Sequence, residues 1–275
     1  MKRATVILVS ILALVLVSAC TQVTKTTTPT PVAPVLDRIL KRGQLVVGTA
    51  GTMPPLNMVT KDGVIKGLEI DLAGMIAGGM GVKARFETMP FAELLPALEA
   101  GKVDMVLSGM TMTPQRNLKV AFVGPYFISG KSFLTKQEKL LSVKKPIEVN
   151  RPDRTFAALE GSTSQIFVQQ LMPKARLVPV KDYNQGVALV LNDKVDGLVA
   201  DYPICIVSAF RYSDQGLAFL ATPLTYEPIG IAVPAGDPQV INWLENFLKS
   251  LEGSGELAAY KEVWFGDASW MKDLP

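Results

Sequence analysis

From about Asp37 onward, short apolar runs that stop at glycine alternate with stretches of helical spacing, and few folds accept that rhythm. Residues 44–49 (QLVVGT) have the continuous apolar character of a strand buried on both faces. Residues 69–80 set Ile70, Ala73, Met75, Ile76 and Met80 at helical intervals, although Gly74, Gly78 and Gly79 weaken that helix. A strand over 83–89, a helix over 91–100 ended by Gly101, and a strand over 103–107 follow, and a further helix opens at Pro114. The pattern recurs with strands at 155–159, 176–180 and 197–200, and helices at 164–171, 182–192 and 202–211. Strands alternating with helices of this length imply α/β architecture with sheets covered on both faces. The strand-like residues 126–135 divide the two runs, so two lobes are expected, with a strand at 229–233 and two helices from Pro238 to complete them. No sequence repeat relates the halves.

Composition narrows the chemistry. Nearly half of the 275 residues are apolar and 19% are charged, enough for a packed core. The formal charge of +3 includes Lys2 and Arg3, and a surface so balanced gives no electrostatic case for nucleic acid. Histidine is absent, which removes a Ser-His-Asp triad, a Cys-His pair and any His-based zinc site, and no cofactor or metal is expected. Cys20 and Cys205 are the only cysteines, so no disulfide framework exists. Cys205 lies in the apolar stretch 204–207 and reads as packing.

Residues 1–19 read as a signal peptide: Lys2 and Arg3 precede an apolar run over 4–17, short of the roughly 20 residues a spanning helix needs. The run closes with Val17-Ser18-Ala19-Cys20, which resembles the bacterial lipoprotein cleavage box and makes Cys20 the expected lipidation site; the alternative is an ordinary signal peptide. Residues 20–36, rich in Thr, Pro and Val, then form a tether from a membrane-held Cys20.

Three segments could carry a site. In Val103-Asp-Met-Val-Leu-Ser-Gly-Met-Thr-Met-Thr-Pro-Gln-Arg116, Thr113 and Pro114 read as N-cap and first helical residue, which puts Arg116 in the first turn. A guanidinium beside a helix N-terminus suits a carboxylate, with Thr111, Ser108 and Gly109 supplying further bonds; alternatively, Arg116 is a surface helix residue paired with an acid. Gly161-Ser162-Thr163 lies between a strand and a helix, either a second anion-binding turn or a capped connection. Asp201 follows an apolar strand at the carboxyl end, where open α/β sheets place ligands; it either accepts from an ammonium or caps the next helix. Glu69 and Asp71 read as helix-start charges, Gly78-Gly-Met-Gly81 as a helix exit, and Trp243, Trp264 and Trp270 as anchors for the C-terminal helices.

In order along the chain, the segments GQLVVGT (43–49), Pro54-Pro55, Asp62-Gly63, GLEIDLA (67–73), LLPALEAGKVD (94–104), TMTPQR (111–116), GPY (124–126), GST (161–163), VDGLVAD (195–201) and GIAV (230–233) resemble the family 3 extracellular solute-binding proteins, receptors of ABC importers for polar amino acids. The resemblance implies a two-lobe, type II periplasmic-binding-protein fold with two mixed sheets and two hinge crossings. Lobe 1 would comprise 37–129 with 228–275, and lobe 2 would comprise 130–227. It implies that Arg116 clamps a ligand carboxylate with Thr163 and nearby backbone N–H groups of the second lobe, and that Asp201 takes its ammonium with Thr111 and the backbone at Ser108. Family members often carry an acid just past the Gly-Thr of the first strand and an aromatic shortly after. Ala50 and Met53 stand there in this chain, so a neutral amino acid is expected, with Met53 and Phe91 as walls; Phe91 also fits a core position.

The partners implied are a free amino acid, an ABC permease and the membrane through Cys20, with the protein a monomer in the periplasm or at the cell surface. Cyclohexadienyl dehydratases resemble the same family but place a glutamate shortly after the position of Asp201, where this chain has Tyr202-Pro203-Ile204-Cys205, so no enzyme is expected. A sensory receptor is the other alternative.

Overall fold

The computed structural model describes residues 33–275, which form one compact unit. The expected leader, Cys20 and most of the tether lie outside the described residues; the tether's expected end at residue 36 is corrected, because a helix already begins at Pro34. Helix α1 (Pro34–Arg42) ends at Gly43, whose φ of 66° is the left-handed turn that glycine favours. Strand β1 (Gln44–Thr49) is followed by a small antiparallel sheet of β2 (Thr52–Met53), β3 (Asn57–Val59) and β4 (Ile65–Lys66), which the apolar pattern did not announce. Helix α2 (Leu68–Gly79), β5 (Lys83–Thr88), α3 (Phe91–Glu99) and β6 (Met105–Val106) follow the expected alternation. The helix at Pro114, α4 (Pro114–Asn117), is a single turn.

The strand anticipated over 126–135 is two strands. β7 (Val120–Ser129) and β8 (Lys131–Thr135) belong to different sheets, and the break falls at Gly130. A methyl group at Gly130 would meet the Thr225 carbonyl oxygen at 2.4 Å, because the returning chain passes against this point. Next come β9 (Thr155–Leu159), α5 (Thr163–Leu171), β10 (Arg176–Val180), α6 (Tyr183–Leu191), β11 (Gly197–Asp201), α7 (Tyr202–Arg211) and β12 (Ala218–Phe219). The chain closes with β13 (Glu227–Pro234), α8 (Pro238–Ser254) and α9 (Glu256–Phe265).

The larger sheets each hold five strands, ordered β5-β1-β6-β13-β7 and β10-β9-β11-β8-β12. Both are mixed: β1 pairs parallel with β5 and β6 while β13 runs antiparallel, and β11 pairs parallel with β9 but antiparallel with β8. Each sheet with its helices is a lobe, and the long strands β7 and β13, paired from Val120 to Ser129, lead out of the first lobe towards the second. The C-terminal helices cover the first sheet, and Leu244, Leu248 and Leu251 share one buried core with Leu45, Val47 and Ile76. The Trp264 indole N–H donates to Asp71 at 2.7 Å and that of Trp270 to the Trp264 carbonyl at 3.1 Å. These two tryptophans do anchor the terminal region, whereas Trp243 stacks on Phe247 with ring centres 5.0 Å apart.

Candidate functional site

The lobes touch where the candidate segments meet. Thr113 caps α4, its hydroxyl accepting from the Arg116 N–H at 3.2 Å, and this aims the Arg116 side chain out of the turn. The guanidinium donates to the Thr111 carbonyl at 2.8 Å in its own lobe and to the Gly161 carbonyl at 3.1 Å in the other. It lies over the Phe91 ring, 5.6 Å from its centre, so Phe91 serves as the floor of the arginine as well as a packed residue. Burial lowers the Arg116 pKa to about 10, with the negative charges of Asp201 and Glu227 opposing that shift, and the group stays cationic at neutral pH. The reading of Arg116 as a surface residue therefore does not fit, but neither does help from a helix dipole. A four-residue turn has almost none, and Thr113 already occupies the Arg116 N–H.

Several predicted groups are engaged within the protein. The Ser108 hydroxyl accepts from the Ala50 N–H at 2.8 Å, fixing the loop after β1. The Gly109 N–H donates to Glu69 at 2.6 Å, and a methyl group at Gly109 (φ 60°) would meet the Met53 sulfur at 2.1 Å. Met53 is thus packed against the loop, 2% exposed. Ser162 caps α5, accepting from the Gln165 N–H at 3.2 Å and donating to the Leu159 carbonyl at 2.6 Å. Thr111 and Thr163 face each other across the lobes, hydroxyl to hydroxyl at 3.3 Å.

Asp201 sits at the N-cap position of α7, but its carboxylate makes no cap bond. It turns inward, and the ammonium it meets belongs to the protein. Lys131 Nζ lies 3.0 Å away, joined by the Ser129 hydroxyl at 3.2 Å and the Tyr183 hydroxyl at 3.4 Å. Burial and the adjacent Asp201 charge raise the Tyr183 pKa well above its usual value, so it remains a donor. Lys131 Nζ is also 3.5 Å from Glu227, which accepts from Thr163 at 3.1 Å and Thr225 at 3.0 Å.

Sequence reasoning missed Lys131, Tyr183 and Glu227; each looked like an ordinary strand or helix residue, and only the fold brings them to Asp201. Glu69 was underrated. It stands in the first turn of α2 as expected but is fully buried, and accepts from Asn57 at 2.5 Å, from the Gly109 N–H and from the Tyr126 hydroxyl. Beside this cluster, a cavity of about 290 Å³ lies between the lobes. Thr52, Met58 and Val59 line it on one side and Tyr183, Val187 and Ile204 on the other; Arg211 is its one charged side chain.

Two mixed sheets meeting over a half-buried arginine define a two-lobe binding protein of the type II periplasmic fold. The chain belongs to the bacterial extracellular solute-binding proteins, family 3, which it matches over residues 45–267. It is 26% identical over 232 residues to the ABC transporter arginine-binding protein 1 of Escherichia coli, covering 79% of this chain and 89% of that protein. It is 28% identical over 218 residues to the ABC transporter glutamine-binding protein of Bacillus subtilis, covering 78% and 75%. An ABC-transporter binding component from Wolinella succinogenes, solved with lysine, superimposes with a TM-score of 0.79 at 34% identity, covering 84% of this chain and 99% of that one. The protein is therefore an extracytoplasmic binding protein and not an enzyme.

Proposed function

We propose that this protein is the substrate-binding component of an ABC importer and closes its lobes over a free L-amino acid with an uncharged side chain. The observation that carries this reading is Arg116, a guanidinium in the lobe interface with spare N–H donors, facing the acids Asp201 and Glu227. Arg116 would hold the ligand carboxylate. Asp201 and Glu227, which together with Lys131 carry one net negative charge, would hold its ammonium. Thr111 and Thr163 would bond to it as the lobes close. The ligand desolvates with both of its charges matched, so it stabilises the closed arrangement over the open one. The crossings near 126–131 and 224–229 would be the hinge between lobe 1 (37–129 with 228–275) and lobe 2 (130–227).

The relatives named for arginine and lysine bind cations, but two features support an uncharged side chain here. Ala50 provides no acid in the loop after β1, and no acidic side chain lines the interlobe cavity. Acylation at Cys20 would hold the receptor at the membrane beside its permease; Cys20→Ala should release it into the soluble fraction.

Arg116→Ala tests the site. It leaves a ligand carboxylate buried without its partner and should weaken binding by about 3–5 kcal/mol, two to nearly four powers of ten in Kd. Titration calorimetry with glutamine and the other uncharged amino acids reads this directly. A variant that binds as tightly as the parent removes Arg116 from the site.

A further inference from the structure

Lys131 is fully buried, and a lysine held in that way requires a reason. It opens β8 directly opposite Asp201 on β11, and its ammonium lies between the Asp201 and Glu227 carboxylates at 3.0 and 3.5 Å. Arg116 is within electrostatic reach of both acids. The cleft therefore holds two cations and two anions, and their formal charges cancel before any ligand enters.

We propose that Lys131 is a specificity-determining residue, whose resident ammonium cancels one of the two cleft carboxylates and so tunes the site to ligands without net charge. This rests on the amino-acid-binding reading. Without Lys131, a zwitterion would meet two carboxylates and one guanidinium, and the unmatched negative charge would favour a cationic side chain. Without the Glu227 charge the imbalance reverses, and an anionic side chain gains. At an effective dielectric of about 20, one unit charge about 6–8 Å from a ligand charge shifts affinity by roughly 30- to 100-fold.

The test is to measure Kd values for arginine, glutamine and glutamate with the purified parent, Lys131→Met and Glu227→Gln. Lys131→Met should raise the preference for arginine over glutamine by tenfold or more. Glu227→Gln should lower it and raise the preference for glutamate over glutamine by a similar factor. A merely structural role would weaken all three ligands together and leave the ratios in place. If Lys131→Met fails to fold, Glu227→Gln still reads the balance from the other sign. Ratios within threefold of the parent in every folded variant overturn the inference while leaving the receptor reading intact. A parent that binds no free amino acid overturns both.

Discussion

Glu69 lies under the loop that presents Gly109, and its carboxyl accepts from three donors there: Asn57, the Gly109 N–H and Tyr126. Burial raises its pKa above 4.5, with the bonds from Tyr126, Gly109 and Asn57 opposing. Folding therefore favours the protonated form, and the contribution of Glu69 to stability declines as pH rises from 4.5 through the raised value. Glu69→Gln should flatten that part of the stability profile in urea titrations at pH 4–7. Glu69→Ala leaves the donors buried without an acceptor and should cost about 2–4 kcal/mol of stability. A loss below about 0.5 kcal/mol would show that the loop does not depend on it. Cys205 makes a separate prediction. Burial pushes its thiol up to about 12, so the thiolate is scarce at pH 8. Iodoacetamide should leave Cys205 unmodified in the folded protein and alkylate it rapidly in guanidinium chloride, as peptide mass spectrometry would read.

Elements follow the sequence wherever the signal is local. Gln44–Thr49, Thr155–Leu159 and Arg176–Val180 have the anticipated bounds because an apolar run and a glycine or turn define them within a few residues. The break at Gly130 was not legible in the local strand pattern, and only the family resemblance put a boundary at 129/130, because its cause is the passage of Thr225, distant in sequence. For the same reason Lys131 gave no signal: a single lysine opening an apolar strand looks like an edge charge until β11 is laid beside it. Arg116 and Asp201 were legible as candidates, but the partners that define their electrostatics were not. The turn before α5 carries its own prediction. A methyl group at Gly161, whose φ is 72°, would stand 3.0 Å from the Ala92 methyl and 3.1 Å from its Cα in the facing lobe. Gly161→Ala should lower the stability of the unliganded protein by about 1–2 kcal/mol through backbone strain. Its larger effect should be on ligand affinity, which calorimetry should show reduced tenfold or more because the lobes must stay a few tenths of an ångström further apart. Equal affinity would mean that this contact does not accompany binding.

Across the whole molecule, a ligand gripped by both lobes should couple to global stability. At about a hundred times its Kd, it adds roughly 2.7 kcal/mol. For a domain of this size that raises Tm by about 5–10 °C, which a thermal-shift screen of the free amino acids would detect. A uniform absence of shift from uncharged amino acids, after unfolding and refolding to remove any bound ligand, would point away from them as a class. The strand order has a further bearing, on biosynthesis. The second sheet draws all its strands from residues 131–219, but in the first, β13 lies between β6 and β7 and contributes residues 227–234. A chain emerging N-terminus first can therefore assemble its later lobe from a continuous stretch. The earlier lobe must wait with a gap in its sheet until the last strand arrives, so the part of the protein that is synthesised first is finished last.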